Sequence, residues 1–313
     1  MEIISVAVAV VVLGILYKRM IAREVPEQIG TLQAVVPAAL GMVSTALSFP
    51  LMLLSAVLLV SAGFVADGNP LWMRSIVSAL IVAGLPEELS KFLMLLISIL
   101  IFRSRLRNVY EYVLLGAGVG LGFTIFEEYL YSDSEPAALI FRLFLIALHL
   151  ISSMIMAYHL GMARYQRQTR TGSPFWSCIL AFLVPIVMHT LYDACTGMNK
   201  YLLAEDDDTV MIGIIIGIAG TIVMFIAQVI LLRKVRKNAG ALSAMTFDRK
   251  ADRTPEAKPE PGTDAVSDTM SGAAPAAASE AAPAAGPGAG PEAGSESAPE
   301  AGSESAPDIA PEN

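Results

Sequence analysis

The sequence predicts an all-α polytopic membrane protein of about seven transmembrane helices with a disordered C-terminal tail. Two compositional features support this fold class: 55% of the 313 residues are apolar and only 16% are charged, with a mean hydropathy of +0.60. The third is the pattern along the chain, where long runs almost without charge recur at lengths that suit membrane-spanning helices.

The flanking charges order these runs across the membrane. The predicted spans lie at about 3–20, 44–66, 75–102, 109–131, 137–163, 175–196 and 209–232. Basic clusters follow the odd-numbered spans: Lys18/Arg19/Arg23, Arg103/Arg105/Arg107, Arg164/Arg167/Arg170 and Arg233/Lys234/Arg236/Lys237. Because cytoplasmic loops are rich in Lys and Arg, this order predicts an N-terminus outside and a C-terminus inside.

The N-terminal part contains a first apolar stretch and a long apolar region, 27–66, that has to be divided into helices. The first apolar stretch is predicted to be a retained span, because Lys18 and Arg19 follow it and no basic start precedes it. Region 27–66 is too long for one span, and Pro37 and Pro50 can interrupt a helix. We therefore expect an interfacial helix followed by a span; a hairpin would put the first basic cluster on the wrong side.

The third span carries two acidic residues, Glu87 and Glu88, directly after Gly-Leu-Pro at 84–86. Proline suits the first turn of a helix, so this span is predicted to break and restart here. The new helix start would favour a carboxylate, and Lys91, at i+4 from Glu87, could neutralise it. The alternative is a Glu–Lys pair that only fixes helix packing.

The fourth span combines small residues with a second acidic pair, Glu127 and Glu128. Its glycines are spaced for close approach of neighbouring helices: Gly116, Gly118, Gly120 and Gly122. We interpret the glycines as packing residues that position Glu127. Because adjacent residues point about 100° apart on a helix, only one of the two glutamates is expected to face a shared site.

Two histidines complete the polar set. His149 stands in an apolar segment, where a lone histidine is more often a core residue than a functional one, whereas His189 has Asp193 at i+4 to orient it. His159 is nearer the basic end and is interpreted as interfacial. Counted from the basic ends, Glu87, Glu127 and the two site histidines lie about 21–27 Å into the membrane. This common depth predicts one site, because ionisable groups in hydrocarbon are costly.

These residue types suit hydrolysis. A carboxylate can act as general base on water, and two histidines with one glutamate match many catalytic zinc sites. The candidate catalytic residues are Glu87, Glu88, Glu127, His149, His189 and Asp193, and the candidate metal ligands are Glu127, His149 and His189. HExxH and GxSxG motifs are absent, and no serine or cysteine stands in an expected polar setting, which disfavours a nucleophilic mechanism.

The C-terminal segment differs in composition from the rest. A transmembrane domain is predicted over 1–240 and a disordered Ala/Pro/Glu-rich cytoplasmic tail over 241–313, with PEAGSESA repeated in tandem. From residue 251 onward the tail holds twelve acidic and two basic residues, which accounts for the net charge of −8. The remainder has no basic surface of the kind that binds nucleic acid. Cys178 and Cys195 are too far apart on one predicted helix for a disulfide.

The order of these motifs resembles the PrsW-type intramembrane proteases, relatives of the CAAX-prenyl-protease and bacteriocin-processing superfamily. The resemblance rests on EExxK at 87–91, GAGVGLGFxxxE at 116–127, and one histidine on each of two later spans, within 75–196. One departure is Glu127-Glu128, where the family commonly has Glu-Asn, so an amide donor is lost.

The resemblance implies an intramembrane endopeptidase in a prokaryotic cell membrane. Its substrate would be a membrane protein or peptide, as in regulated proteolysis of anti-sigma-type factors, and its cofactor Zn²⁺, or no metal if a glutamate activates water alone. The alternatives are an ion-coupled transporter that uses the carboxylates as a proton relay, or an inactive scaffold whose tail recruits partners.

Overall fold

The computed structural model describes residues 2–64, 70–131, 146–202 and 207–248. The described part contains eight α-helices, two of which are joined by a π-turn, and the described residues form no strand. The helices are α1 (Glu2–Ile21), α2 (Thr31–Ser61), α3 (Leu71–Ser78), a π-turn (Ala79–Gly84) that leads directly into α4 (Leu85–Phe102), α5 (Val109–Leu130), α6 (Leu148–Thr169), α7 (Pro174–Leu202) and α8 (Asp207–Ala244). The predicted all-α class is confirmed.

Helix α5 is the central element, because 89% of its most apolar stretch is buried inside the protein. Its glycines lie against backbone on two sides: a side chain at Gly122 would meet Ala38 of α2, and one at Gly116 would meet Ser153 of α6. Thr45 of α2 also donates a hydrogen bond to the Phe123 carbonyl, at 3.2 Å. The small residues therefore let two helices pack closely on α5, as the glycine spacing predicts.

The helix does not break and restart at Gly84-Leu85-Pro86, although the sequence predicted this. The backbone stays right-handed helical through Gly84 and Leu85, and it widens into a π-turn before Pro86. The Leu85 N–H donates to the Leu80 carbonyl, so the helix is not interrupted by a free start. A π-turn accommodates the missing proline N–H and changes the direction in which the following side chains point.

The predicted division of region 27–66 is also wrong, because Thr31–Ser61 is one continuous helix that contains both Pro37 and Pro50. Proline is tolerated inside membrane helices where neighbouring helices and hydroxyl groups stabilise the backbone. Here Pro37 is buried and faces Gly118 of α5, and Ser48 donates to the Thr45 carbonyl at 2.8 Å.

By length and composition, four helices in the described part can cross a membrane: Thr31–Ser61, Val109–Leu130, Pro174–Cys195 and Met211–Ala244. The predicted count of seven spans, and the N-out orientation, therefore remain predictions. Two predicted spans are only partly comparable with the structure, because the π-turn divides 75–102 and the first third of 137–163 lies outside the described residues.

The chain after α8 folds back onto the turn between α4 and α5. The Phe247 N–H donates to the Arg107 carbonyl at 2.8 Å, and the Val109 N–H donates to the Met245 carbonyl at 3.2 Å. The Phe247 ring is buried between the Tyr112 ring, 5.5 Å away, and the guanidinium of Arg164, 4.2 Å away. The first residues of the predicted tail, 241–248, thus pack on the helical body, and residues 249–313 lie outside the described part.

Candidate active site

Side chains from four helices meet in one buried cluster. Glu87, Glu88 and Lys91 come from the first turns of α4, Glu127 from the end of α5, His149 from the start of α6, and His189 with Asp193 from α7. The two histidine rings lie 5.1 Å apart between centroids, and both are buried. All six predicted site residues are brought together, including His149, whose isolation in the sequence favoured a core role.

Glu88 is held by three partners and is fully buried. Its Oε1 accepts a hydrogen bond from Lys91 Nζ at 2.6 Å and from the Ser152 hydroxyl at 3.3 Å, and it lies 2.9 Å from His189 Nδ1. Lys91 is also fully buried, so this is an ion pair without solvent. The sequence predicted Glu87 as the partner of Lys91; the shorter pairing is with Glu88, one residue nearer on the helix.

The contacts of His149 define its tautomer. Nδ1 lies 2.9 Å from Lys91 Nζ, and a lysine ammonium can only donate, so Nδ1 is the acceptor. The proton of a neutral ring is then on Nε2, which lies 2.7 Å from Glu127 Oε2. Phe123 packs on the imidazole at 4.8 Å between centroids and receives the Lys91 ammonium over its face at 4.2 Å. This arrangement orients His149 towards Glu127.

His189 is surrounded by carboxylates. Nδ1 faces Glu88, while Nε2 lies 3.5 Å from Glu87 Oε2 and 3.2 Å from Asp193 Oδ2. An ionised carboxylate only accepts hydrogen bonds, so Nδ1 donates to Glu88, and a second positive centre is needed between Nε2 and the other two oxygens. That centre is a second proton on the ring, a proton on Glu87 or Asp193 that is donated to Nε2, or a metal ion.

The donor set fits a metal ion. Glu87, His149 and His189 each offer a ligand atom within 4.8 Å of the others, and all three residues are buried. Among the described residues, Glu87 Oε2 has no hydrogen-bond partner, although burial of an unpaired carboxylate oxygen is costly. Two imidazoles and one carboxylate match the ligand chemistry of catalytic zinc sites. The sequence suggested Glu127 as the carboxylate ligand; the geometry groups Glu87 with the histidines instead.

A cavity of about 20 Å³ lies beside this cluster, and its lining includes Glu127, Glu128, His149 and Tyr192. A buried water needs roughly 10–15 Å³ of such space and two to four polar partners, so one water fits here. Glu128, which was not expected to face the site together with Glu127, is buried and lines the same cavity. Both residues of the acidic pair therefore adjoin a water-sized space.

Sequence reasoning missed Ser152 and Phe123. Ser152 donates to the carboxylate of Glu88 and also to the His149 carbonyl, at 3.2 Å, so a serine does stand in a polar setting. It serves the Glu88 carboxylate as a donor, and the oxygen that it contacts is already held by Lys91 and His189. Its i+3 relation to His149 is the one signal in the sequence that could have identified it. His159 lies apart from the site, against Tyr158.

The close contact between α5 and α6 sets the position of His149. A side chain at Gly120 would meet the backbone of His149 and Leu150, so only glycine allows the two helices this approach. The same helix carries Glu127 two turns further on. Gly120 therefore determines the distance between the carboxylate and the imidazole.

Comparison with known proteins identifies the family of this chain. The model of the PrsW family intramembrane metalloproteases matches residues 31–232, more than half of the chain. Protease PrsW of Halalkalibacterium halodurans is 31% identical over 155 residues, which are 49% of this chain and 66% of that protein. No solved structure matches significantly. The family match extends on both sides of the motifs at 75–196 and contains every residue of the site. The chain belongs to the PrsW family of intramembrane metalloproteases.

Proposed function

We propose that this protein is an endopeptidase that hydrolyses peptide bonds of membrane-associated proteins within or next to the bilayer. The observation that carries the proposal is a water-sized cavity that Glu127 and His149 both line, beside a Glu/His cluster that can hold a metal. Family membership supports the same reaction and does not favour the proton-relay transporter.

We assign the metal to Glu87, His149 and His189. His149 would bind it through Nδ1 in exchange for the present contact with Lys91, so that the Nε2–H can stay on Glu127. Zn²⁺ is the ion that best suits two imidazoles and one carboxylate. When bound, such an ion polarises the scissile carbonyl and acidifies water. Asp193 lies 3.2 Å from His189 Nε2 and adds negative charge on the same side of the cluster.

Glu127 is the general base in this proposal. It accepts a proton from water in the adjoining cavity as the water oxygen attacks the carbonyl carbon. It then returns this proton to the amine nitrogen as the C–N bond breaks, so that the products are a carboxylic acid and an amine; transfer of the remaining acid proton to the amine gives carboxylate and ammonium. His149, whose Nε2 lies 2.7 Å from Glu127, orients the carboxylate for both transfers.

Glu88, Lys91 and Ser152 position the other groups. Glu88 already accepts from Lys91, Ser152 and His189 through one oxygen, and it is fully buried, which makes it a poor base for water. Its role is to hold His189 in one tautomer and orientation, as carboxylates beside metal-bound histidines do. The departure at Glu128 puts a second carboxylate, instead of an amide donor, beside the water cavity.

The substrate we propose is a membrane protein or peptide of a prokaryotic cell membrane, with a membrane-bound anti-sigma-type factor as the specific candidate. It would reach the site from the bilayer, because two of the four helices that carry the site, α5 and α7, are apolar enough to span it. The same proposal includes three further points: the protein is related to the CAAX proteases, its tail is cytoplasmic, and its N-terminus lies outside and its C-terminus inside.

The test is cleavage of a fluorogenic transmembrane peptide library by the purified full chain in liposomes. We expect cleavage that a chelator abolishes and Zn²⁺ restores, and no cleavage by Glu127→Gln or His189→Ala. Proton flux in the same liposomes is measured in parallel. Flux without cleavage, or full cleavage by both variants, would overturn the proposal.

A further inference from the structure

A cavity of about 310 Å³ lies between α6, α7 and α8, away from the active site. Its lining on α6 includes Ile151 and Tyr158, which are roughly 180° around the helix from His149. Helix α6 thus separates the cavity from the catalytic cluster. The inner wall is apolar and buried, with Ile151 and Met154 among its residues, and Val184 of α7 and Leu231 of α8 continue it.

The edge of the cavity is polar and positively charged. Lys234 and Asn238, one turn apart on α8, are exposed and line it together with the half-buried His159. No acidic residue is among those that line this cavity. Lys234 also belongs to the run Arg233/Lys234/Arg236/Lys237, which directly follows the apolar part of α8. A deep apolar wall with a cationic edge is complementary to an amphiphile with an anionic head.

The surrounding surface indicates where such a molecule would come from. Ile222, Ile226 and Ile230 project from α8 with roughly half of each side chain exposed, on a helix apolar enough to cross a membrane. Basic clusters at the end of a membrane helix, and basic pockets between membrane helices, are typical sites for acidic lipid headgroups. A bilayer lipid can therefore enter the cavity from the side, tail first.

We propose that this cavity binds an anionic phospholipid, with one acyl chain between α6 and α8 and its phosphate on Lys234, where Asn238 donates a further hydrogen bond. The bound lipid fills the space that protein side chains leave between the last helix and the catalytic helix α6. The proposal does not depend on the peptidase reaction, because no residue of the catalytic cluster lines the cavity.

The experiment uses the full-length protein in phosphatidylcholine vesicles that contain a trace of phosphatidylglycerol with a photoactivatable diazirine in its acyl chain. After irradiation, mass spectrometry maps the labelled peptides. We expect labels on α6 near Ile155 and on α8 near Leu231. A photoactivatable phosphatidylcholine with the same acyl chain should label these peptides several times less.

Two variants with the same charge change test the headgroup contact. Lys234→Gln removes the basic residue at the cavity edge, and Arg233→Gln removes its neighbour, which does not line the cavity. We expect Lys234→Gln to reduce labelling about fivefold, the effect of one basic residue at a lipid headgroup, and Arg233→Gln to leave it nearly unchanged. Equal loss in both variants would indicate diffuse attraction to charge and overturn the proposal.

Ile155→Trp tests the acyl position by filling the cavity from α6. It should abolish labelling near Leu231 while the protein remains monodisperse in detergent. Unchanged labelling of this variant, or equal labelling by the two lipid classes in the wild type, would overturn the proposal. Excess glycerol phosphate should not compete, because the acyl chain provides most of the binding; full competition would show that a free phosphate ester is the ligand instead.

Discussion

The Nδ1 atom of His189 lies 2.9 Å from Oε1 of Glu88, the same oxygen that Lys91 contacts at 2.6 Å. One carboxylate oxygen therefore links the catalytic helix α7 to the first turn of α4 and to a buried ammonium. Because this oxygen can only accept when ionised, it determines which ring nitrogen of His189 carries a proton and which one is left for a cation.

Replacing Glu88 by Gln should weaken metal binding by about 10- to 100-fold, the usual cost of removing the carboxylate behind a metal-bound histidine. Metal content after dialysis against a graded chelator series measures this directly, and cleavage should fall with it. Ser152→Ala, which removes another contact to the same oxygen, is the matched control and should have a much smaller effect. Normal metal retention by the Gln variant would remove the positioning role.

Lys91→Met should destabilise the protein by about 3–5 kcal/mol, because it leaves Glu88 charged, buried and without its ion-pair partner. The double variant Lys91→Met/Glu88→Gln should recover most of this loss while staying inactive. Thermal unfolding in detergent gives the stabilities of the four proteins, and their comparison isolates the coupling between the two residues. Additive effects would show that the pair is not coupled.

Glu127→Gln should lower the catalytic rate about 10²- to 10⁴-fold, as expected for loss of a general base, without loss of bound metal. Glu128→Gln is the neighbouring control. Glu128 lines the same small cavity but takes no part in the proposed proton transfers, so the catalytic rate of this variant should change far less. A larger effect at Glu128 would exchange the roles of the two glutamates.

Gly120→Ala should impair cleavage more than it impairs folding. The added methyl group would meet the backbone of His149 and Leu150, which cannot turn aside as a side chain can, so α6 must move and carry His149 with it. Gly14→Ala in α1 is the control, since its methyl group meets nothing within 4 Å and alanine favours a helix by about 1 kcal/mol. Peptide cleavage and melting temperature, measured side by side, separate the two effects.

Stability should depend on pH through Glu24, in the turn between α1 and α2. Burial raises the pKa of Glu24 to about 8, and the nearby Glu111 adds to this, while the Ile29 N–H and Arg107 act in the opposite direction. The folded protein therefore binds a proton more tightly than the unfolded chain. The stabilisation is complete below the ordinary pKa of 4.5 and is lost as the pH rises towards 8.

Glu24→Gln should accordingly flatten the melting temperature between these two pH values and stabilise the protein at the alkaline end. Glu27→Gln is the control, because Glu27 is exposed and contacts the same Arg107. A wild-type melting temperature that rises across this pH range would contradict the assignment.

The sequence was sufficient for the helical class and for the six candidate residues that the structure brings together. Ionisable residues in apolar segments are costly, so Glu87, Glu127 and His189 stood out without any knowledge of their neighbours. The glycine spacing on α5 likewise predicted close packing. These signals are local, because each depends on residue type and helical period alone.

The pairing inside the site could not be predicted in the same way. The π-turn before Pro86 changes the direction in which the first turn of α4 points, and Glu87 then faces His189. Lys91 can reach either glutamate on its own helix, and its pairing with Glu88 goes with the contacts that Ser152 and His189 of other helices make to the same oxygen. Ser152 becomes a partner of Glu88 only because α6 approaches α4 closely. Pro37 was misread because the residue that supports it, Gly118, lies on another helix. Each error concerns a contact between distant parts of the chain.

The fold-back of Phe247 has a practical consequence for anyone who shortens this protein. Composition suggests a cut at residue 240, but that cut would uncover Tyr112 and Arg164 and deprive the Val109 N–H of its acceptor, Met245. A cut after Asp248 keeps Phe247 packed against Tyr112 and Arg164. It also keeps the two hydrogen bonds between the Asp248 backbone and the Gln168 side chain. Eight residues thus separate a truncation that preserves the α4–α5 turn from one that opens it.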